Sequence, residues 1–237
     1  MLKAKFGAVC TWTLLLLLFS VADFWLKTKP TLNFQNVNEP LTPTVVIDAG
    51  HGGEDGGAIS CTGIPESRIN LEIAIALNDF MHLIGYKTTM IRTTDTAIYT
   101  KGNTLSEKKA SDLKERVRII NQTENAILIS IHQNHYSDSR YSGAQVFYAP
   151  TNGSKELAQN IQHTFLQTIN PKSQRQIKQA DGIYLMQHIS CPGILVECGF
   201  LSNYEEESML LDPHYQQYIC VIIGTVLSKC MKEPSIT

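Results

Sequence analysis

Four residues have the chemistry to hold or serve a metal ion and stand where a fold could gather them. His51 follows the apolar run Val45-Val46-Ile47-Asp48-Ala49-Gly50, His132 closes Ile127-Leu128-Ile129-Ser130-Ile131, and Glu197 closes Ile194-Leu195-Val196. Glu66 lies beyond the glycine-rich loop that begins at Gly50 and opens a segment of helical periodicity. Two neutral imidazoles and one carboxylate make a catalytic zinc set that keeps a fourth position for water. Zinc polarises a carbonyl and lowers the pKa of water to about 7. An amine leaves an amide poorly unless it is protonated, so a second carboxylate that takes a proton from water and passes it to the nitrogen completes an amide hydrolase. Glu197 suits that role.

Each residue also has a plainer explanation. Glu197 could instead pair with an arginine such as Arg68 or Arg92, because a carboxylate at the end of a buried strand is costly alone. Glu66 beside Pro65 is equally explained by the preference of acids for a helix N-terminus. His135 rivals His132, but three residues further along a continuing strand it points elsewhere. His82, His163, His188 and His214 read as ordinary hydrogen-bonded residues. The loop Gly50-His51-Gly52-Gly53-Glu54-Asp55-Gly56-Gly57 fails the dinucleotide fingerprint, since its sixth position is Asp55, and it has no phosphate-loop lysine.

The elements that must position these residues alternate between strand and helix from Thr44 onward, which predicts a single three-layer α/β domain. Its mostly parallel open sheet has about six strands flanked by helices. Strands are expected at 44–49, 86–92, 126–131, 144–149, 183–186 and 193–197. Helices are expected at 66–83, 112–121, 154–169 with Ser154 as N-cap, 203–211 and 214–229. Residues 96–111 read as a polar loop, and Lys114, Glu115, Arg116 and Arg118 mostly as a solvated face. Open parallel sheets bind ligands beyond the carboxyl ends of their strands, so three strand ends with matching chemistry predict one composite site.

The 237 residues are 43% hydrophobic and 18% charged with a formal net charge of −2. This excludes the strong basic excess of a nucleic-acid binder. Lys3 and Lys5 precede the uncharged stretch from Phe6 to Ala22, so residues 1–27 read as an export signal or a retained membrane anchor. Ser20-Val21-Ala22 suits cleavage, while the stretch nearly reaches the roughly 17 residues of a spanning helix. Either way the domain is exported across the cytoplasmic membrane. Pro30, Pro40 and Pro43 mark residues 28–43 as an extended linker, leaving 44–232 as the catalytic domain. None of the six cysteines falls in a zinc-ribbon pair. Most read as small buried residues, with one disulfide open and its pairing unassigned.

Ile47-Asp48-Ala49-Gly50-His51-Gly52-Gly53, Glu66, Ser130-Ile131-His132-Gln133-Asn134 and Leu195-Val196-Glu197-Cys198-Gly199-Phe200-Leu201-Ser202-Asn203, in that order, resemble the zinc-dependent N-acetylmuramoyl-L-alanine amidases. The resemblance implies that His51, Glu66 and His132 bind Zn2+ and that Glu197 is catalytic. It implies a substrate-side place for Asn134 and peptidoglycan as substrate, cut between the lactyl group of N-acetylmuramic acid and L-alanine. Asp112-Leu113-Lys114-Glu115-Arg116-Val117, Ser142 to Tyr148 and Gly182 to Gln187 are similar to the spore-cortex, germination-associated subgroup. That likeness implies stem-peptide removal toward muramic-δ-lactam and a site in the forespore intermembrane space. A general autolysin or cell-separation amidase, a zinc exopeptidase and a non-catalytic wall-binding protein are the alternatives, and an accessory protein is left open. His135 and Tyr136 are bulkier than the small residues often found there, which bears on the shape of the groove.

Overall fold

The computed structural model describes residues 42–232. Residues 1–27 and all but the last two residues of the 28–43 linker lie outside the described residues. Among the described residues no helix is long and apolar enough to cross a membrane. Strands β1 (Thr44–Ala49), β2 (Thr88–Met90), β3 (Ala126–Asn134), β4 (Gln145–Tyr148), β5 (Lys178–Gln179) and β6 (Gly193–Phe200) form one sheet in the order β2-β1-β3-β6-β4-β5. All its pairs are parallel except β4 with β6.

Helices α1 (Glu66–Leu83), α2 (Leu105–Gln122), α3 (Ser154–Gln167), α4 (Tyr184–His188), α5 (Tyr204–Leu210) and α6 (Pro213–Cys230) complete the domain. Side chains alternate across a strand, and the central strands show it. Val45, Ile47, Ile129 and Val196 pack with Ile73 and Leu157 of α1 and α3. Val46, Leu128 and Leu195 pack with Ile120, Leu185 and Met186 on the other side. Each buried aliphatic side chain contributes about 1.5–3 kcal/mol, so two apolar layers fix which face every strand residue takes. Asp48, Ser130, His132 and Glu197 share the parity of the second layer. Register then makes Asp48 the neighbour of Ser130 and His132 the neighbour of Glu197.

From β1 the chain crosses to β2 on one side and then to β3 on the other. The topological switch point, where such sheets open a crevice, therefore lies between the two strands that lead to His51 and His132.

Four sequence expectations are corrected. Helix α2 begins at Leu105 rather than at 112, so the last seven residues of the expected 96–111 loop are helical. Its start is a capping box: Thr104 Oγ1 accepts from Glu107 N at 3.3 Å, and a Glu107 carboxylate oxygen accepts from Thr104 N at 3.1 Å. The first two turns carry almost no buried apolar residue, so periodicity could not reveal them. Residues 184–186 belong to helix α4 with Ile183 as its N-cap, because Gly182 turns at φ 83° and Leu185 and Met186 bury against α2; the fifth strand is Lys178–Gln179 instead. The N-cap of α3 is Gly153, with φ 78°. The Ser154 hydroxyl is one residue inside, accepting from Gly193 N at 2.9 Å. Finally, Arg116 is not on a solvated face: it is 2% exposed.

Thr104→Ala removes one half of the capping box. It should lower stability by about 1 kcal/mol in urea unfolding without altering the folded spectrum. An unchanged midpoint would mean that packing alone sets the start of α2.

Candidate metal centre

Beyond the end of β1 the backbone enters the left-handed region at His51, φ 61°, which a residue with a side chain rarely adopts. Gly50 precedes it because a Cβ there would come within 2.2 Å of His132 Cε1. Gly57, at φ 70°, leaves room for Glu66 Oε2, which would otherwise be 2.5 Å from a Cβ. The glycines of this loop therefore serve close approach of three side chains.

His51, Glu66 and His132 each offer a donor atom, all within 4.8 Å of one another. Glu66 Oε1 is 3.0 Å from His132 Nδ1 and Oε2 is 3.3 Å from His51 Nε2. Four-coordinate donors ~2.1 Å from a common ion stand roughly 3.4 Å apart, so both carboxylate distances already suit one. The rings meet edge to face, 5.0 Å between centroids. His51 Nδ1 lies 2.9 Å from Asp55 Oδ2, which leaves Nε2 free to bind. Lys109 Nζ in turn lies 2.9 Å from the same Asp55 oxygen.

Glu66 also accepts from Ala58 N (3.0 Å), Asn70 Nδ2 (3.1 Å) and Gln133 N (3.1 Å). Burial alone would raise its pKa, but the hydrogen bonds and charges of His132 and His51 hold it far below the usual carboxylate range. Glu197 is the opposite case. Its Oε2 is buried without a hydrogen-bond partner. Burial, aided by the charge of Glu66 and only partly countered by His132 and His51, pushes its pKa up to about 7. It pairs with neither arginine: Arg68 binds Glu72, and Arg92 donates to backbone carbonyls. His51, His132 and Glu197 line a cleft of about 260 Å³ with Lys109 and Leu113 of α2 on one wall and Tyr184 and Leu185 of α4 on another.

Residues 45–228 match the N-acetylmuramoyl-L-alanine amidase family. The chain belongs to that family. It is 38% identical over 183 residues to the germination-specific N-acetylmuramoyl-L-alanine amidase of Bacillus subtilis, covering 76% of each chain. It is 30% identical to the amidase LytC of the same organism, over 80% of this chain but 36% of that one. Among solved structures it resembles the CwlD amidase of Clostridioides difficile in complex with the GerS lipoprotein (TM-score 0.76, 34% identity, 80% of this chain and 98% of that one). The protein is thus an N-acetylmuramoyl-L-alanine amidase acting on peptidoglycan.

In this amidase the structure brings His51, His132 and Glu197 to the lining of one cleft, with Glu66 buried against the two histidines. Asn134 ends β3, opposite Phe200 and two residues past His132, and does not line that cleft. Sequence reading missed what holds His51. Arg116 donates to His51 O (2.7 Å), Ala49 O (2.9 Å), Asp112 and Asp48. Arg92 donates to Ala49 O (2.8 Å), Gly50 O (2.9 Å) and Ser67 O (2.8 Å). Ser130 Oγ donates to the other oxygen of Asp48 at 2.7 Å. The available signal was Asp48, a charged residue inside an otherwise apolar strand, which demands a buried counter-charge.

Arg116→Ala strands Asp48 and should destabilise the amidase by about 3–5 kcal/mol. Arg116→Lys keeps the charge but loses the fork that reaches the His51 carbonyl. It should stay folded and bind divalent metal about 10–100-fold more weakly, measured by titration beside urea unfolding. Unchanged metal affinity in Arg116→Lys would show that the clamp does not position His51.

Glu197 sets a pH dependence in the metal-free protein. Its folded pKa lies above that of the unfolded chain, so the folded state keeps a proton that the unfolded state releases. Stability therefore falls as pH rises from about 4.5 to about 7, by on the order of 3 kcal/mol. Glu197→Gln should remove that share of the slope, seen in urea unfolding at pH 5 and 8 in chelator. Equal slopes in parent and variant would place the Glu197 pKa near its ordinary value.

Proposed function

We propose that this amidase is a zinc enzyme in which His51, Glu66 and His132 hold the ion and Glu197 moves the protons. The observation that carries the reading is the unpartnered, buried Glu197 oxygen beside a three-donor cluster. Zinc held there would supply Lewis acidity toward the scissile carbonyl and acidify a water. Glu197, with its raised pKa, is the group placed to take a proton from the attacking water and return it to the nitrogen of the departing L-alanine. The products are a lactyl carboxylate on muramic acid and a stem peptide with a free amine. Asp55 fixes the His51 tautomer, and the apolar wall of Leu113, Leu185 and Leu195 limits water around the proton transfer.

The reading extends to biological role. Similarity to the germination-specific amidase of Bacillus subtilis supports removal of stem peptides in spore cortex, the step that precedes muramic-δ-lactam. Export by the N-terminal segment would bring the domain to the forespore intermembrane space, secreted or anchored. The complex of the CwlD amidase with a lipoprotein supports an accessory protein for this chain as well.

The test is incubation of the full chain with purified peptidoglycan, with and without chelator, and identification of muropeptides by mass spectrometry. Stem peptides should be released from intact glycan. Chelation should stop the release, and Glu197→Gln should slow it at least about 100-fold. Release indifferent to chelator, or to loss of the Glu197 carboxylate, would overturn the mechanism.

A further inference from the structure

The segment between β3 and β4 holds two tyrosines that nothing in the catalytic cleft uses. Tyr136 is 51% exposed and Tyr141 is 47% exposed. Their rings meet edge to face at 4.6 Å, and Tyr141 lies 6.2 Å from the ring of Phe200. The Arg175 guanidinium covers Phe200 at 4.4 Å from its centroid. Beside them opens a shallow depression of about 490 Å³, lined by Tyr141, Arg140, Arg175, Ser142, Ser173 and Gln174, with Asp138 at its edge.

Exposed aromatic rings on a loose loop would mean little, but this loop is fixed. Ser202 Oγ accepts from Tyr136 N at 3.1 Å, and Asn203 Nδ2 donates to Ser139 O at 2.9 Å. Glu206 accepts from Gly143 N at 2.8 Å. Arg175 is held by Ser142 O at 2.8 Å and Gln145 Oε1 at 2.9 Å. The surface is therefore ordered before any ligand arrives, which removes part of the entropic cost of binding.

Register ties it to the reacting centre. Phe200 stands opposite Asn134, a short step along the strands from the pair His132 and Glu197, and Gln145, which holds Arg175, stands opposite Glu197 itself. A polymer with one residue at Glu197 that continues along this edge of the sheet meets the tyrosines next. The lining is too polar for the centre of a stable protein interface, which is apolar and covers roughly 800 Å² per partner. It matches pyranose rings instead: apolar C–H faces for tyrosine rings, and hydroxyl and acetamide groups for guanidinium, serine and glutamine.

We propose that Tyr136, Tyr141 and the Arg140–Arg175 depression form a glycan-strand subsite, which binds the N-acetylhexosamine units adjoining the muramic acid whose amide is cut. The proposal rests on the peptidoglycan substrate of this family and makes the enzyme selective for long strands over isolated muropeptides.

The probe is peptide-free strands of alternating N-acetylglucosamine and N-acetylmuramic acid, which offer no amide to cleave and report binding alone. The full-chain protein should bind them. Tyr136→Ala and Tyr141→Ala should each weaken binding about tenfold, the loss of a ring contact, while Tyr136→Phe and Tyr141→Phe retain most of it. In hydrolysis the alanine variants should lose kcat/KM on polymeric peptidoglycan and keep the parent value on N-acetylmuramoyl-peptide, which carries no adjoining sugar. The proposal is overturned if the parent does not bind the strands, if the alanine variants bind like the parent, or if activity falls equally on both substrates. A parent that binds strands yet cleaves neither substrate would count against the zinc mechanism and leave the subsite standing.

Discussion

The loop leaving β1 turns three successive carbonyls, those of Ala49, Gly50 and His51, toward a buried space where no strand runs to pair with them all. Each would cost about 1–3 kcal/mol if left unsatisfied. Arg92 and Arg116 satisfy all three, and this clamp is what the site depends on. The left-handed backbone of His51 costs of order 1–3 kcal/mol and persists because its carbonyl is captured by a guanidinium that cannot move. Arg116 cannot move because Asp48 and Asp112 hold it from two elements. Loosening that ion pair frees the His51 carbonyl, although Arg92 and Asn70 still hold Gly50 and Asp55 still holds the His51 ring.

The clamp also explains the polar residues inside the second core layer. A buried guanidinium requires counter-charge, and a buried carboxylate requires saturation of its second oxygen. Asp48 answers the first need, Ser130 the second, and their adjacency follows from the parallel register of β1 and β3. Burial would raise the Asp48 pKa, yet Arg116 and Ser130 bring it below the ordinary value. The network thus stays ionised at the pH where the enzyme must work. Ser130 is consequently part of the scaffold that aims His51, although it sits two residues from His132.

What could be read in the sequence was what an apolar strand makes visible. The runs before His51, His132 and Glu197 declared three central strands, and the polar residue at each end declared the edge where they meet. What could not be read was carried by polar contacts. Arg116 sits among Lys114, Glu115 and Arg118, and composition cannot say which of four charges on a helix points inward; only the packing of α2 against the β1 side of the sheet decides it. The first turns of α2 were hidden because they bury little, although the pattern Thr104-x-x-Glu107 was legible as a cap. Glu66 was ambiguous because a helix start explains an acid without any metal. In the structure both its oxygens lie beside histidines across the crevice, a contact that a helix start alone does not require.

Two glutamates therefore share one crevice in opposite states, and the cause is how many donors each meets. Glu66 receives two imidazoles, two backbone amides and the Asn70 amide, so its charge is stabilised in spite of burial. Glu197 is half-buried, but its Oε2 is shut away from water without a donor, and Glu66 itself repels its charge. A carboxylate kept ionised by many donors is suited to hold a cation. One left without donors, with its pKa drawn to neutrality, is suited to accept a proton and give it back. The sheet produces this difference without special chemistry. Glu66 opens a helix that faces the β1 loop, where backbone amides are free, whereas Glu197 lies within a strand whose amides are already committed to the ladder.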